Sequence, residues 1–278
     1  STAQLDALSS DNIGALSTAQ VSVLTTAQVA SMVSDHLNAM GTAQFAALTT
    51  AQVAALTPAQ ITGLGSDDLR ALSTAQYAAL ATGQAAALST DQIPMLESAD
   101  LRAMGLAPMR AWSTAQIDAL TSQQMAALST AQVAALSTLA IENLSSDDFN
   151  AFGSAQLVAL TSAQFGALNS LQLATLDGAD MAVIETQDLR ALGANALQSL
   201  SSAQIDALSS RQIGALATNQ IASLLTGQVA TLASDDLRAL TTAQFGALTT
   251  QQVAALTTDQ IPNIESADLR VLGSAAIQ

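Results

Sequence analysis

Apolar residues recur in this chain on a fixed period of eight. Cut into eights from Ser1, the sequence gives 34 complete octads and a six-residue remainder, Gly273 to Gln278. The eighth position is apolar in every octad: Leu in 27, otherwise Met32, Met40, Met104, Trp112, Phe152, Ile184 or Ile264. The fifth position is apolar throughout, with Ala85 the smallest side chain there. Positions 5 and 8 lie one helical turn apart and share a face. Position 2 is almost always Ser or Thr, position 4 mostly Gln, and position 7 mostly Ala.

Positions 1 to 4 of most octads read Ser/Thr-x-x-Gln, the pattern of a helix capping box. In Thr57-Pro58-Ala59-Gln60 a proline falls at the first helical position, where its missing N–H costs nothing. Strand alternation fails, because positions 7 and 8 are adjacent and both apolar. One continuous helix fails too. Eight residues overshoot two full turns by about 80°, so the apolar stripe would circle the helix and face no single partner. The pattern therefore predicts an all-α solenoid, a superhelical rod of very short helices, one per octad. Such helices are unstable alone and hold only by stacking. No shift in composition divides the chain, so residues 1–278 read as one continuous array. Neither end shows a polar capping octad, which suggests a piece of a longer array or a subunit that stacks end to end.

A slower rhythm overlies the octad. At some octads Asp replaces Gln at position 4 and Arg stands at position 6: Asp68 with Arg70, Asp100 with Arg102, Asp188 with Arg190, Asp236 with Arg238, and Asp268 with Arg270. Weaker versions carry His36 with Asn38 and Asp148 with Asn150. Neighbouring markers are four to six octads apart. Glycine follows in five cases, at Gly41, Gly105, Gly153, Gly193 and Gly273, and suits a left-handed helix stop. Pro94 and Pro262, at position 6 of the octads before two markers, suggest bends. These features make the markers candidate corners of a coil of about five octads per turn. Arg of one corner would then pair with Asp of the corner above or below.

Composition narrows the function. The net charge is −15, and all seven basic residues are Arg. Such a surface disfavours nucleic acid and anionic membranes. No apolar run is long enough to span a bilayer. There is no Cys and one His, so thiolate metal sites and a His-based triad lack their residues. The acidic pairs Asp67/Asp68, Asp147/Asp148 and Asp235/Asp236 lack the ligand spacing of a calcium loop and read as helix-start residues. No catalytic, cofactor-binding or metal-binding residue is assigned, and no cofactor is expected. Trp112, in the most irregular octad, reads as a bulky plug.

The run Leu-Ser-Thr-Ala-Gln-Val-Ala-Ala-Leu at Leu128–Leu136 resembles tandem repeats of very long bacterial exoproteins labelled as haem utilisation or adhesion proteins. The resemblance covers essentially the whole chain and implies an extracellular or cell-surface, adhesin-like stalk. The haem label has no residue basis in a chain with one His and 3% aromatics. The expected function is a non-catalytic stalk, spacer or filament module, with neighbouring repeats or further copies as partners. The alternative is a scaffold that binds a peptide or glycan. That alternative requires the irregular residues Trp112, Arg110, Tyr77 and His36 to share one exposed face.

Overall fold

The computed structural model describes residues 1–272. Gly273 and the rest of the six-residue remainder lie outside the described residues. Among the described residues there are 32 α-helices of four to six residues, two 3-10 helices and no strand. Each octad yields one helix, as the capping pattern predicts. Octad 7 shows why. Thr49 is the N-cap, its hydroxyl accepts from Gln52 N–H, and the Gln52 side chain accepts from Thr49 N–H. Helix Thr50–Ala55 then ends because Leu56 turns extended (φ −59°, ψ 139°). Thr57 is extended as well (φ −74°, ψ 154°) and caps the next helix. Two extended residues, positions 8 and 1, thus turn the chain between helices.

This turn needs no left-handed residue. No described residue has positive φ, glycine included. The glycines after the markers are therefore not helix stops, as the sequence suggested. Gly41, Gly105, Gly153 and Gly193 are extended N-caps of the next helix, with φ between −89° and −67°. Pro94 and Pro262 replace the α-helix by a 3-10 turn, Ile93–Met95 and Ile261–Asn263. Pro has no N–H to donate, and the shorter turn asks for fewer bonds.

The chain forms two compact bodies, Ser1–Leu144 and Ser145–Gln278. Within each, octads pack against the octad three places on. In the first, helix Thr26–Ser31 lies on helix Thr50–Ala55; in the second, Ser162–Gly166 lies on Thr186–Ala191. Side-chain bonds described below reach back four octads. One turn of the coil therefore takes between three and four octads, not five. Five octads would have required corners at the markers, but the turn is made by positions 8 and 1 of every octad. Positions 5 and 8 fill the interior: Phe45, Val53, Ile93 and Ile213 are each fully buried. Burying each large apolar side chain stabilises by about 1.5–3 kcal/mol, which helices of this length need.

Position 6 of one octad faces position 7 of the octad three places on. A Cβ built on Gly14 would lie 2.8 Å from Ala39 O, one on Gly166 2.8 Å from Ala191 O, and one on Gly214 2.6 Å from Ala239 O. These distances leave no room for a methyl group. Gly214→Ala is therefore expected to destabilise the second body by about 1–3 kcal/mol through overpacking. Gly227→Ala, where a Cβ meets nothing within 4 Å, is expected to stabilise it by about 0.5–1 kcal/mol through helix propensity. Urea titrations followed by helical circular dichroism would read both signs.

Candidate functional site

The recurring polar feature of the fold is the glutamine at position 4. It stands at 22 of the 34 octads. Its oxygen accepts the N–H of its own cap residue, as a capping box requires. Its amide nitrogen does something the sequence pattern does not show: it donates to the position-5 and position-8 carbonyls of the octad four places back. Gln84 Oε1 accepts from Ala81 N–H at 2.7 Å, while Gln84 Nε2 donates to Val53 O and Leu56 O, each at 2.7 Å. In the second body Gln204 Nε2 reaches Leu173 O at 2.7 Å and Leu176 O at 2.8 Å. One side chain thus closes its own helix start and satisfies the open carbonyl end of a helix in the preceding coil. These rungs are buried, as at Gln84 and Gln52, both 2% exposed. Gln4 and Gln20 have no octad four places before them, and both are exposed.

The marker octads replace this rung by a different bond. An ionised carboxylate cannot donate to a carbonyl. Asp100 Oδ1 instead accepts from the Thr74 hydroxyl at 2.8 Å, Asp188 Oδ1 from Ser162 at 2.7 Å, and Asp236 Oδ1 from Ser210 at 2.8 Å. Each donor is position 2 of the octad three places back. These three helix pairs are the tightly packed ones of their bodies. Asp68 caps its own helix, accepting from Gly65 N–H at 3.1 Å. Burial, the larger effect, raises its pKa; the Gly65 bond lowers it, and Asp67 raises it further. Asp148 accepts from the Ser145 hydroxyl at 2.7 Å, and Asp268 is buried.

The marker arginines do not pair with aspartates of neighbouring coils. Among the described residues the one ion pair is Arg238 with Asp235, 3.1 Å apart on one helix and exposed. Arg70 donates to Met95 Sδ at 3.4 Å, and Arg238 to Asn263 Oδ1 at 2.7 Å. Both partners are position 7 of the octad three places on, the residue that position 6 faces everywhere. Arg102, Arg190 and Arg270 are exposed. Nor do the markers stand in single file. Asp148 and Asp188 are five octads apart, which is neither one turn nor two when a turn takes three to four.

The irregular residues repair missing rungs. His36 stands at position 4, and its Nε2 lies 3.1 Å from Leu8 O, the position-8 carbonyl four octads back. Where Asp100 replaces Gln, the carbonyl of Leu69 loses its amide donor; the Tyr77 hydroxyl donates to it at 2.8 Å. Burial, with Asp100 and Glu97 nearby, holds the Tyr77 phenol well above its ordinary pKa, so it stays protonated and able to donate. Trp112 fills the space above Ala85, the smallest position-5 side chain, and its Nε1 donates to Ala85 O at 2.9 Å. His36, Tyr77 and Trp112 are all buried, at 6%, 1% and 6% exposure. They form no shared exposed face with Arg110, which is exposed.

The sequence held a partial signal for the close approaches, which lie at Gly14, Gly166 and Gly214; a Cβ on Gly246 would meet nothing nearer than 3.5 Å, and the Asp100 junction has Ala78 at that position. Glycine occurs at position 6 in four octads, at Gly14, Gly166, Gly214 and Gly246. Each lies three octads before a marker, those of His36, Asp188, Asp236 and Asp268. The link becomes visible only when the turn is known to bring octads three apart into contact. The surface carries open polar grooves, one lined by Glu97, Gln123 and Gln124 and one by Glu185, Arg211 and Gln212. Among the described residues no three His, Asp or Glu side chains are grouped so as to hold a metal ion, and no helix is long and apolar enough to cross a membrane.

The ALTTAQ repeat matches the chain seven times in tandem, over residues 1–34, 30–66, 61–96, 93–130, 141–177, 181–218 and 229–263. No curated protein matches it. With these matches spanning most of its length and its octads folded as uniform short helices, the chain belongs to the ALTTAQ repeat family.

Proposed function

We propose that this chain is a non-catalytic structural module, a stalk, spacer or filament segment of a bacterial surface or secreted protein, partnered by further repeats or copies of itself. One observation carries the reading: the octad's most regular polar side chain is consumed in holding coil to coil. Gln84, Gln204 and their equivalents each spend both ends of the amide on the array itself. An enzyme or receptor keeps polar groups convergent on a ligand, whereas here they are distributed evenly. The resemblance to exoprotein repeats supports the extracellular location, and the acidic surface supports partners other than nucleic acid.

Single-molecule stretching tests the mechanical part. A repeat array opens in small units, because each coil contacts only its neighbours. Many steps are expected, each freeing on the order of one coil turn, roughly 100 Å of extended chain. One or two ruptures that each free a whole body would refute the proposal. Immunodetection on intact cells of the source bacterium tests the location. The second reading, a peptide or glycan scaffold, loses the shared exposed face it required, since Trp112, Tyr77 and His36 are buried, and rests on the polar groove beside Glu97 and Glu185. Saturable binding to a glycan or peptide array, abolished by Glu185→Ala, would favour it.

A further inference from the structure

Three marker octads carry a second acid at position 1, and in two of them the position-4 carboxyl also bonds a hydroxyl of a neighbouring coil: Glu97-Ser98-Ala99-Asp100 in the first body and Glu185-Thr186-Gln187-Asp188 in the second. In each of these two, the position-4 carboxyl is buried, at 5% and 4% exposure. Its side-chain partner is a neutral hydroxyl, Thr74 or Ser162. The ionisable groups around Asp100 are Glu97 and Arg102 on its own helix, Ser98–Ala103, and Tyr77 on helix Thr74–Ala78; helix Ser122–Ala127 brings none. Around Asp188 they are Glu185 and Arg190 on helix Thr186–Ala191 and its cap, and Arg211 on helix Ser210–Ala215; helix Ser162–Gly166 brings none. Among the described residues no ion pair involves either aspartate. The carbonyls that a glutamine would serve from these positions are those of Leu69 and Leu72, and of Leu157 and Leu160, positions 5 and 8 of the octads four places back. Tyr77 serves Leu69; among the described residues no side chain donates to Leu72 or Leu160. An ionised carboxylate has no proton to offer there, and a neutral carboxyl has one.

We propose that Asp100 and Asp188 are acid-tightened junctions: taking up a proton from solvent removes a buried, unneutralised charge between coils and gives position 4 the donor it otherwise lacks. The direction agrees with the electrostatics. Burial, the largest effect, pushes both carboxyls above the ordinary range, the hydroxyl bond pulls them back, and Glu97 or Glu185 raises them again. A carboxyl whose pKa is raised by folding contributes stability that is complete below its unfolded value, ~3.9, and is lost as pH rises through the folded value. Acidification from neutral pH therefore firms the array at these two sites.

The test is thermal unfolding of the whole chain from pH 7.5 down to about pH 4, just above the unfolded aspartate value. The wild-type midpoint is expected to rise as pH falls. The variant D100N/D188N is expected to unfold higher than wild type at pH 7.5, by about 2–4 °C, and to lose most of the rise. The control D118N/D206N removes two exposed charges of the same kind and is expected to keep it. A wild-type midpoint that does not rise, a D100N/D188N variant that keeps the full rise, or a control that loses it equally would each overturn the proposal. Should the variant fold poorly, carboxyl 13C shifts of the wild-type chain decide. Titration of Asp100 and Asp188 above the free-aspartate value of ~3.9 supports the junctions, and titration at or below it rejects them.

Discussion

Gln84→Glu is expected to destabilise the first body by about 3–5 kcal/mol at neutral pH, the cost of an uncompensated charge in a buried site. The substitution changes one NH2 to an oxygen and keeps the shape. The new carboxylate would still accept from Ala81 N–H, but its second oxygen would face Val53 O and Leu56 O, which now receive an N–H at 2.7 Å each. Three acceptors would meet with no donor among them. Gln84→Ala lacks the repulsion but leaves the Ala81 N–H and Leu56 O without their partner and takes one of two donors from Val53 O, which keeps the Leu56 N–H at 3.1 Å, at about 1–3 kcal/mol for such a loss. The glutamate variant therefore ranks below the alanine variant at pH 7. Its folded pKa is raised by burial, so its deficit shrinks as the pH falls toward the unfolded value and grows as the pH rises. Amide hydrogen exchange is the right measurement, because an array opens locally rather than all at once. Protection is expected to fall at the cap of helix Thr82–Ala86 and at the turn that follows Leu56. Unchanged exchange there would mean that the amide rung does not hold the coils.

Trp112→Ala is expected to cost about 3–5 kcal/mol, the range for removing a large buried aromatic side chain. The site cannot collapse easily, because the residue beneath is Ala85, whose single methyl cannot fill the space. Ala85 O would also lose its 2.9 Å indole donor and keep the Leu88 N–H at 3.2 Å and a long contact to Gln116 Nε2 at 3.5 Å. Trp112→Phe should lose less, since most of the volume remains and one hydrogen bond goes. The double variant A85I/W112L restores what nearly every other octad has, a branched or long side chain at position 5 and Leu at position 8. It is expected to recover most of the loss of W112A. A double-mutant cycle would show strong coupling between positions 85 and 112; additive effects would show that the two residues fill separate spaces.

How much of this was legible in the sequence follows the range of each interaction. The helix of every octad, its Ser or Thr cap and its Leu interior were readable, because Thr49 and Gln52 are three residues apart and the pattern repeats within one octad. The turn between helices was partly hidden. Glycine after a marker suggested a left-handed stop, yet Leu56 and Thr57 turn the chain with ordinary extended backbone. The coil period is not legible from the markers, because they decorate a turn that is made elsewhere. The second role of Gln84 was invisible for a simple reason: its partners lie 28 and 31 residues away, and the capping box already accounted for a glutamine at that position. Tyr77 and Trp112 read as core variants, which their burial agrees with. Their hydroxyl and indole donors matter only because Asp100 and Ala85 leave gaps that no local pattern reveals.

The rung also bears on how such arrays can vary in length. Within each body, a glutamine past the first four octads finds its acceptors by counting four octads back, and the octads there offer the same two carbonyls. Replication slippage that adds or removes one whole octad of coding sequence leaves every downstream glutamine with an equivalent partner. Gene copies could therefore drift in repeat number without losing the fold. The junctions are the exception. Gly214 and Asp236 must stay three octads apart, as must Gly166 and Asp188, because the glycine makes room for the coil that carries the aspartate. Insertions between such partners would set a methyl-bearing residue under a tight carbonyl. Length polymorphism in related genes should accordingly concentrate in the glutamine octads and avoid the three-octad intervals that end at a marker.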